Sequence, residues 1–316
     1  MKKDLVSIAD LTRADAERIL DLATELKANR EPERNLQGKT LALIFEKPSL
    51  RTRVTFEVGM TQLGGYAVYL NQNDIALGER EAVSDIAKNL ERWVDGVAAR
   101  TFRHTTVTEL AANCDIPVIN ALSDVEHPCQ ALADFLTIRE KKGDLSRVRL
   151  AYLGDVNNVC RSLMLLASLA GTSMVVGTRQ AEPDLFGTSV LGGREHVEPE
   201  LAQALKKVEL RLDEDPRRIV KDADVIYTDV WVSMGEEEQA KEKMSRFRPY
   251  QVNSAVIEAA KKDVIFMHCL PAKRNQEVTD DVLDGPHSVV FDQAENRLHA
   301  QKALLLLLVG GKGARR

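Results

Sequence analysis

Ser49-Leu50-Arg51-Thr52-Arg53 places two guanidinium groups and two hydroxyls within five residues, shortly after the apolar, strand-like segment Thr40 to Phe45. The spacing of Val54, Val58, Met60 and Leu63, up to the stop at Gly64-Gly65, predicts a helix that starts in this run. Backbone N–H groups and the helix dipole then aim at the same point as the arginines, which makes an anion socket fit for a phosphate. Taken alone, the run reads equally as a basic helix start making ordinary surface ion pairs.

Further polar clusters follow other apolar runs. Arg100 closes Gly96 to Ala99. His127-Pro128-Cys129-Gln130 offers an imidazole and a carboxamide at a helix start, with proline at a favoured first-turn position. No metal-ligand spacing accompanies His127, so polarising a carbonyl suits it better than ligating an ion. Leu153-Gly154-Asp155-Val156-Asn157-Asn158 lacks the GxGxxG of a dinucleotide loop, and Asn158 instead suits a carboxylate or amide ligand, or a helix cap. Asp229-Val230-Trp231-Val232-Ser233-Met234-Gly235 gathers a carboxylate, an indole, a hydroxyl and a glycine hinge, which reads as a closing loop. In His268-Cys269-Leu270-Pro271 a thiol lies at a strand end. Adjacent strand residues point to opposite faces, so His268 is badly placed to activate Cys269, and covalent catalysis is disfavoured. Arg297, in Gln293-Ala294-Glu295-Asn296-Arg297, starts the last helical pattern and could reach back toward these groups.

The elements that position these residues read as α/β. After a helix from about Arg13 to Ala28, the short apolar runs Thr40 to Phe45, Ala67 to Leu70, Gly96 to Ala99 and Pro117 to Leu122 alternate with helical patterns. A second set follows: Arg149 to Leu153, Met174 to Gly177, Val225 to Tyr227, Val264 to Met267 and Val289 to Phe291. Each set predicts a parallel sheet flanked by helices. The expected domains are 1–141 and 146–292, joined by interdomain helices, one of them about Pro128 to Glu140. A C-terminal helix, 295–316, is expected to pack back onto the first domain. In open α/β sheets ligands lie beyond the carboxyl ends of strands, and every cluster above obeys that rule. A cleft between the halves, where the clusters converge, is the expectation.

Bulk properties narrow the class. The 316 residues suit about two domains. Hydrophobic residues at 44% and charged residues at 29% exclude disorder and fibrous folds. The net charge of −5, from Lys+Arg 43 against Asp+Glu 48, argues against a nucleic-acid partner. Met1-Lys2-Lys3-Asp4-Leu5 lacks the apolar region of a signal peptide, and Ala303 to Val309 is too short to span a bilayer, so a cytoplasmic protein without membrane partners is expected. Cys114, Cys129, Cys160 and Cys269 show no CxxC spacing; neither disulfides nor a zinc site is suggested.

Together, Phe45-Glu46-Lys47-Pro48-Ser49-Leu50-Arg51-Thr52-Arg53, His127-Pro128-Cys129-Gln130, Asp229 to Gly235 and His268-Cys269-Leu270-Pro271 resemble the aspartate/ornithine carbamoyltransferases, nearest the ornithine branch. The resemblance runs in order from about residue 4 to residue 308. It implies a carbamoyl phosphate domain followed by an amino acid domain, carbamoyl phosphate and L-ornithine as substrates, no cofactor and no metal, and a homotrimer or a multiple of trimers. By resemblance, Ser49, Leu50, Arg51 and Thr52 would hold the phosphate, with Arg53 supporting the loop. Arg100, His127 and Thr52 would hydrogen-bond the carbonyl oxygen. Gln130 would meet the carbamoyl amide, and Arg297 would close over it. Asn158, Asp229, Ser233 and Met234 would hold ornithine's α-amino and α-carboxylate ends, with Cys269 and Leu270 beside its side-chain amine. Arg100, His127, Cys269 and Asp229 are the expected catalytic set.

Two positions depart from the family pattern. Leu50 stands where relatives commonly carry threonine, and Ala76 stands where many carry a glutamine that serves the neighbouring subunit. Other acceptors within the family are N-acylated ornithine, putrescine and aspartate. The Ser-Met-Gly loop and Cys269 favour free ornithine over these. A non-catalytic anion-binding homologue is the reading from another class, and the retained Arg51, Arg100, His127 and Cys269 argue against it.

Overall fold

Thr40–Phe45 forms strand β1, buried along nearly its whole length, and pairs in parallel with β2 (Tyr66–Asn71) on one side and β3 (Gly96–Arg100) on the other. β4 (Val118–Leu122) pairs with β3, giving the order β2-β1-β3-β4. β3 and β4 are buried at every position, which explains why their sequences run apolar without alternating: both faces of a parallel sheet are covered. The computed structural model describes residues 1–29, 34–78, 80–179, 207–212, 215–233 and 237–310. It divides into two units, Met1–Leu136 with Glu295–Arg316, and Thr137–Ala294.

The second unit carries its own parallel sheet, ordered β7-β6-β5-β8-β9. Its strands are β5 (Arg149–Leu153), β6 (Ser173–Thr178), β7 (Val208–Leu212), β8 (Val225–Thr228) and β9 (Ile265–Met267). The expected pair of parallel sheets is thus observed. Two expectations within it are corrected. Val289 to Phe291 is not a strand: Ser288 makes a single bridge to Phe266, and the last helix then starts, running Val290–Leu308 rather than from Glu295. Phe291 is 72% exposed, as helical spacing allows and an inner strand would not. The fifth strand is instead β7, whose charged residues Glu209 and Arg211 break up its apolar run.

Strand order fixes where ligands can go. In the first sheet the chain leaves β1 for β2 on one side and continues through β3 on the other, so connections diverge between β1 and β3. In the second sheet the corresponding switch lies between β5 and β8. Register brings the strand ends level. Phe45 lies beside Arg100, and Arg100 beside Leu122; Leu153 lies beside Thr228, and Tyr227 beside Met267.

Candidate active site

In the first unit, the helix Leu50–Gln62 begins at the carboxyl edge of the sheet. Ser49 is its N-cap, its hydroxyl accepting from the Thr52 N–H at 3.3 Å. Thr52 is buried, and its hydroxyl accepts from Arg297 Nη2 at 3.1 Å. Arg297 also donates, through Nη1, to Gln130 Oε1. Gln130 Nε2 donates in turn to Asp134 Oδ1 at 2.8 Å, one helical turn along Pro128–Lys142. Arg100 and His127 are both about 5% exposed.

Burial is the first cause that holds His127 well below the ordinary imidazole value of 6.5, and the charges of Arg297, Arg100 and Arg51 add to it. Arg297, Arg100 and Arg51 thus lie near enough for their charges to act against protonation of the buried His127. Such a set offers only positive charge and N–H donors, which suits a dianion carrying a carbonyl. Leu50 is 73% exposed, so its side chain takes no part in the socket and the position can serve through its backbone N–H alone. Arg53 is placed apart. Its Nε donates to Glu57 at 2.9 Å, and its guanidinium lies 3.6 Å from the centroid of the Tyr69 ring. Glu46 accepts from the Phe102 N–H at 2.6 Å and ties the loops after β1 and β3 together.

In the second unit, Asp229 follows β8 and is buried. Its Oδ2 accepts from Asn157 Nδ2 at 2.7 Å; its Oδ1 accepts from the Val230 N–H at 2.8 Å and the Cys269 thiol at 2.9 Å. Asn157 caps the helix Asn158–Ala170, its Oδ1 accepting from the Val159 and Cys160 N–H groups. One carboxamide thus fixes both a helix start and a carboxylate. Asn158, partly exposed at the same helix start, sits beside this pair in sequence. Gly154 adopts φ +133° with the Trp231 ring against it, close enough that a Cβ would stand 3.4 Å from the indole. Lys243, partly buried, makes an ion pair of 2.7 Å with the buried Asp155 on the same loop.

His268 Nδ1 accepts from the Leu270 N–H at 2.9 Å, so its proton sits on Nε2 and is donated to the buried Glu277 at 3.2 Å. Both imidazole nitrogens are engaged, and the Cys269 thiol turns to Asp229 instead. Asp229, His268 and Cys269 present ligand-type atoms within 4.8 Å of one another, and hydrogen bonds account for this cluster. Leu270 has φ +57°, a left-handed value that a branched residue adopts only under constraint, here from the bond to His268. Ser233 is partly exposed, and Met234 lies outside the described residues.

The structure therefore gathers Ser49, Thr52, Arg100, His127, Gln130 and Arg297 in one unit, with Arg51 contributing its charge. In the other it gathers Asp229 and Cys269 with the helix start that carries Asn158. Asp134, Asn157 and Lys243 are additional members that the sequence reading did not single out. The Gln-x-x-x-Asp spacing, which stacks Gln130 on Asp134 along a helix, was the available signal for the first of them.

Residues 3–140 match the family model described as the carbamoyl-P binding domain of aspartate/ornithine carbamoyltransferase, and residues 146–308 match its Asp/Orn binding domain. The ornithine carbamoyltransferase of Thermococcus kodakarensis is 51% identical over 313 residues, covering 98% of this chain and 97% of that protein. The Bacillus subtilis one is 50% identical over 310 residues, covering 96% and 92%. Among solved structures, the ornithine carbamoyltransferase from Pyrococcus furiosus superimposes with a TM-score of 0.88 at 51% identity, covering 98% and 97% of the two chains. The anabolic enzyme from Campylobacter jejuni gives 0.86 at 36%, covering 98% and 99%. Likeness of this extent, across both units and nearly the full length of each relative, places the chain in the aspartate/ornithine carbamoyltransferase family.

Proposed function

We propose that the enzyme transfers the carbamoyl group of carbamoyl phosphate to the side-chain amine of L-ornithine by direct attack, releasing L-citrulline and phosphate. The domain roles follow the expected 1–141 and 146–292 division, with carbamoyl phosphate held by the first and ornithine by the second. The observation that carries the reading is Arg297 bonded to Thr52 and Gln130, with Arg100 and His127 buried at the same sheet edge. The neutral amine attacks the carbamoyl carbon, and negative charge gathers on the carbonyl oxygen. Donors aimed there from Arg100, His127 and Thr52 stabilise that charge without reorganising, each contributing about 3 kcal/mol by analogy with other preorganised donors. The carbon–oxygen bond to phosphate then breaks, and the departing phosphate accepts the proton that the amine loses. No residue has to be acylated, in keeping with a thiol hydrogen-bonded to Asp229 rather than to an imidazole.

Asp229 carries the recognition of ornithine's α-amino group. Among the described residues its donors are the uncharged Asn157, Val230 and Cys269, which leaves an ammonium as its cationic partner. Asn158 and Ser233, with Met234, complete the grip on the α-carboxylate end. The test is phosphate release with carbamoyl phosphate and a panel of L-ornithine, N-acetylornithine, putrescine and aspartate. Turnover is expected with ornithine; background rates with ornithine beside turnover of another acceptor would overturn the assignment.

A homotrimer, or a multiple of trimers, fits the exposed apolar surface of the first unit. Leu50, Val54 and Val58 form a stripe at i, i+4 and i+8 along one helix, exposed by 37–73%, and Tyr66 and Val68 stand exposed on the neighbouring edge strand β2. Light scattering on the purified protein reads the mass directly. Among the described residues no helix is long and apolar enough to cross a membrane. A cytoplasmic setting suits the four cysteines, all of which are thiols outside any disulfide.

A further inference from the structure

Gln130 lies between two groups of opposite hydrogen-bonding character. Asp134 is fully buried and takes the Gln130 amide N–H at 2.8 Å; Arg297, itself only 2% exposed, donates to the Gln130 carbonyl oxygen. A guanidinium can only donate, and a carboxylate is the acceptor partner of choice for an amide N–H. The carboxamide therefore has one orientation, with Oε1 toward the arginines and Nε2 toward the interior. Arg297 holds Gln130 from the socket side, its other nitrogen reaching Thr52 in the first turn of the socket helix. Asp134 holds it from within its own helix, one turn along.

We propose that Asp134 is a positioning residue that fixes the Gln130 carboxamide so that an acceptor always faces the acyl group of the bound acyl phosphate, and that this selects an amide-bearing acyl phosphate over a methyl-bearing one. The inference rests on the carbamoyl-transfer reading and deepens it. An acyl NH2 satisfies the free lone pair of Oε1. An acyl CH3 of the same shape leaves it buried and unmet, and a site built to accept from N–H rejects the analogue that lacks one. Were the carboxamide reversed, its NH2 would face both the substrate NH2 and the Arg297 guanidinium, donor against donor.

Asp134→Asn is nearly isosteric and removes the bias, since an asparagine can accept from or donate to Gln130. The experiment compares wild type and D134N in citrulline formation, with acetyl phosphate as a competitive inhibitor against carbamoyl phosphate. The quantity read is the ratio of the acetyl phosphate inhibition constant to the carbamoyl phosphate KM. The ratio is expected to fall about tenfold in D134N, one neutral hydrogen bond's worth, while the ornithine KM stays within about twofold. An unchanged ratio would overturn the proposal, as would parallel rises in both substrate KM values with the ratio intact, the pattern of a merely structural residue. Should D134N lose its cooperative melting transition, Gln130→Met cuts the same relay at its other end; a collapsed ratio supports the proposal and a retained one overturns it. Absence of citrulline with the wild-type enzyme would strike the carbamoyl-transfer reading itself, whereas citrulline formation with an unmoved ratio removes only the role of Asp134.

Discussion

The two units solve the same geometric problem with opposite charge. Both place their polar residues at the carboxyl edge of a parallel sheet, where strand order reverses, and both start a helix there with a side-chain cap, Ser49 in one and Asn157 in the other. The first unit then adds Arg51, Arg100 and Arg297, whose charges act against protonation of the buried His127. The second adds a carboxylate clamped by a carboxamide, a thiol and a main-chain N–H. On the proposed reading, the same scaffold position is specialised for an anion or for a cation by side chains alone. Fold locates a site, and residue chemistry decides what it takes.

The sharpest way to break this contrast is at Arg100. If the first unit works by stabilising charge that develops on the carbonyl oxygen, Arg100→Ala should lower kcat by about 10²- to 10³-fold while changing the ornithine KM little. Steady-state kinetics decide it, and near wild-type turnover removes Arg100 from that role. The second effect concerns stability. Because the folded protein holds His127 below 6.5, the unfolded chain binds the proton first as pH falls. Stability is then full above about pH 6.5 and is lost as the pH drops below it, by up to about 1.4 kcal/mol per pH unit. Denaturant titrations at pH 7.5 and 5.5 should show that loss in the wild type and a shallower one in His127→Asn. An equal loss in both proteins would place the titrating group elsewhere.

A smaller effect sharpens the contrast from the other side. Asn157→Ser keeps a helix cap but loses the hydrogen bond to Asp229, and should raise the ornithine KM about tenfold with the carbamoyl phosphate KM unchanged. The smallest is Leu50→Thr. Its exposed side chain leaves the socket to the backbone, so the carbamoyl phosphate KM should move by no more than about twofold; a larger shift would give the missing hydroxyl a role that its exposure denies.

Much of this was legible from sequence for one physical reason. Buried parallel strands are short apolar runs, so each run marks a strand and the polar residues after it mark a carboxyl edge. Thr40–Phe45 and Arg149–Leu153 were readable to the residue on that basis. β7 escaped because Val-Glu-Leu-Arg-Leu alternates apolar and charged residues, the pattern of a half-covered strand rather than of a buried one. Val289 to Phe291 misled for the converse reason, since three apolar residues suit a helix start as well as a strand. Within the site, the residues proposed to face substrate were visible as types, whereas Asn157 was not separable from Asn158. Its partner Asp229 is 72 residues away, and only the pairing of β5 with β8 brings the two together.

The division of labour between the units is tested most directly by a full two-substrate rate matrix on Arg51→Ala and Asn157→Ser beside the wild type. The expected result is crossed: R51A raises the limiting KM for carbamoyl phosphate and spares that for ornithine, while N157S does the reverse. Both variants shifting the same substrate, or each shifting both equally, would contradict a cationic socket in one unit and an amino-acid grip in the other.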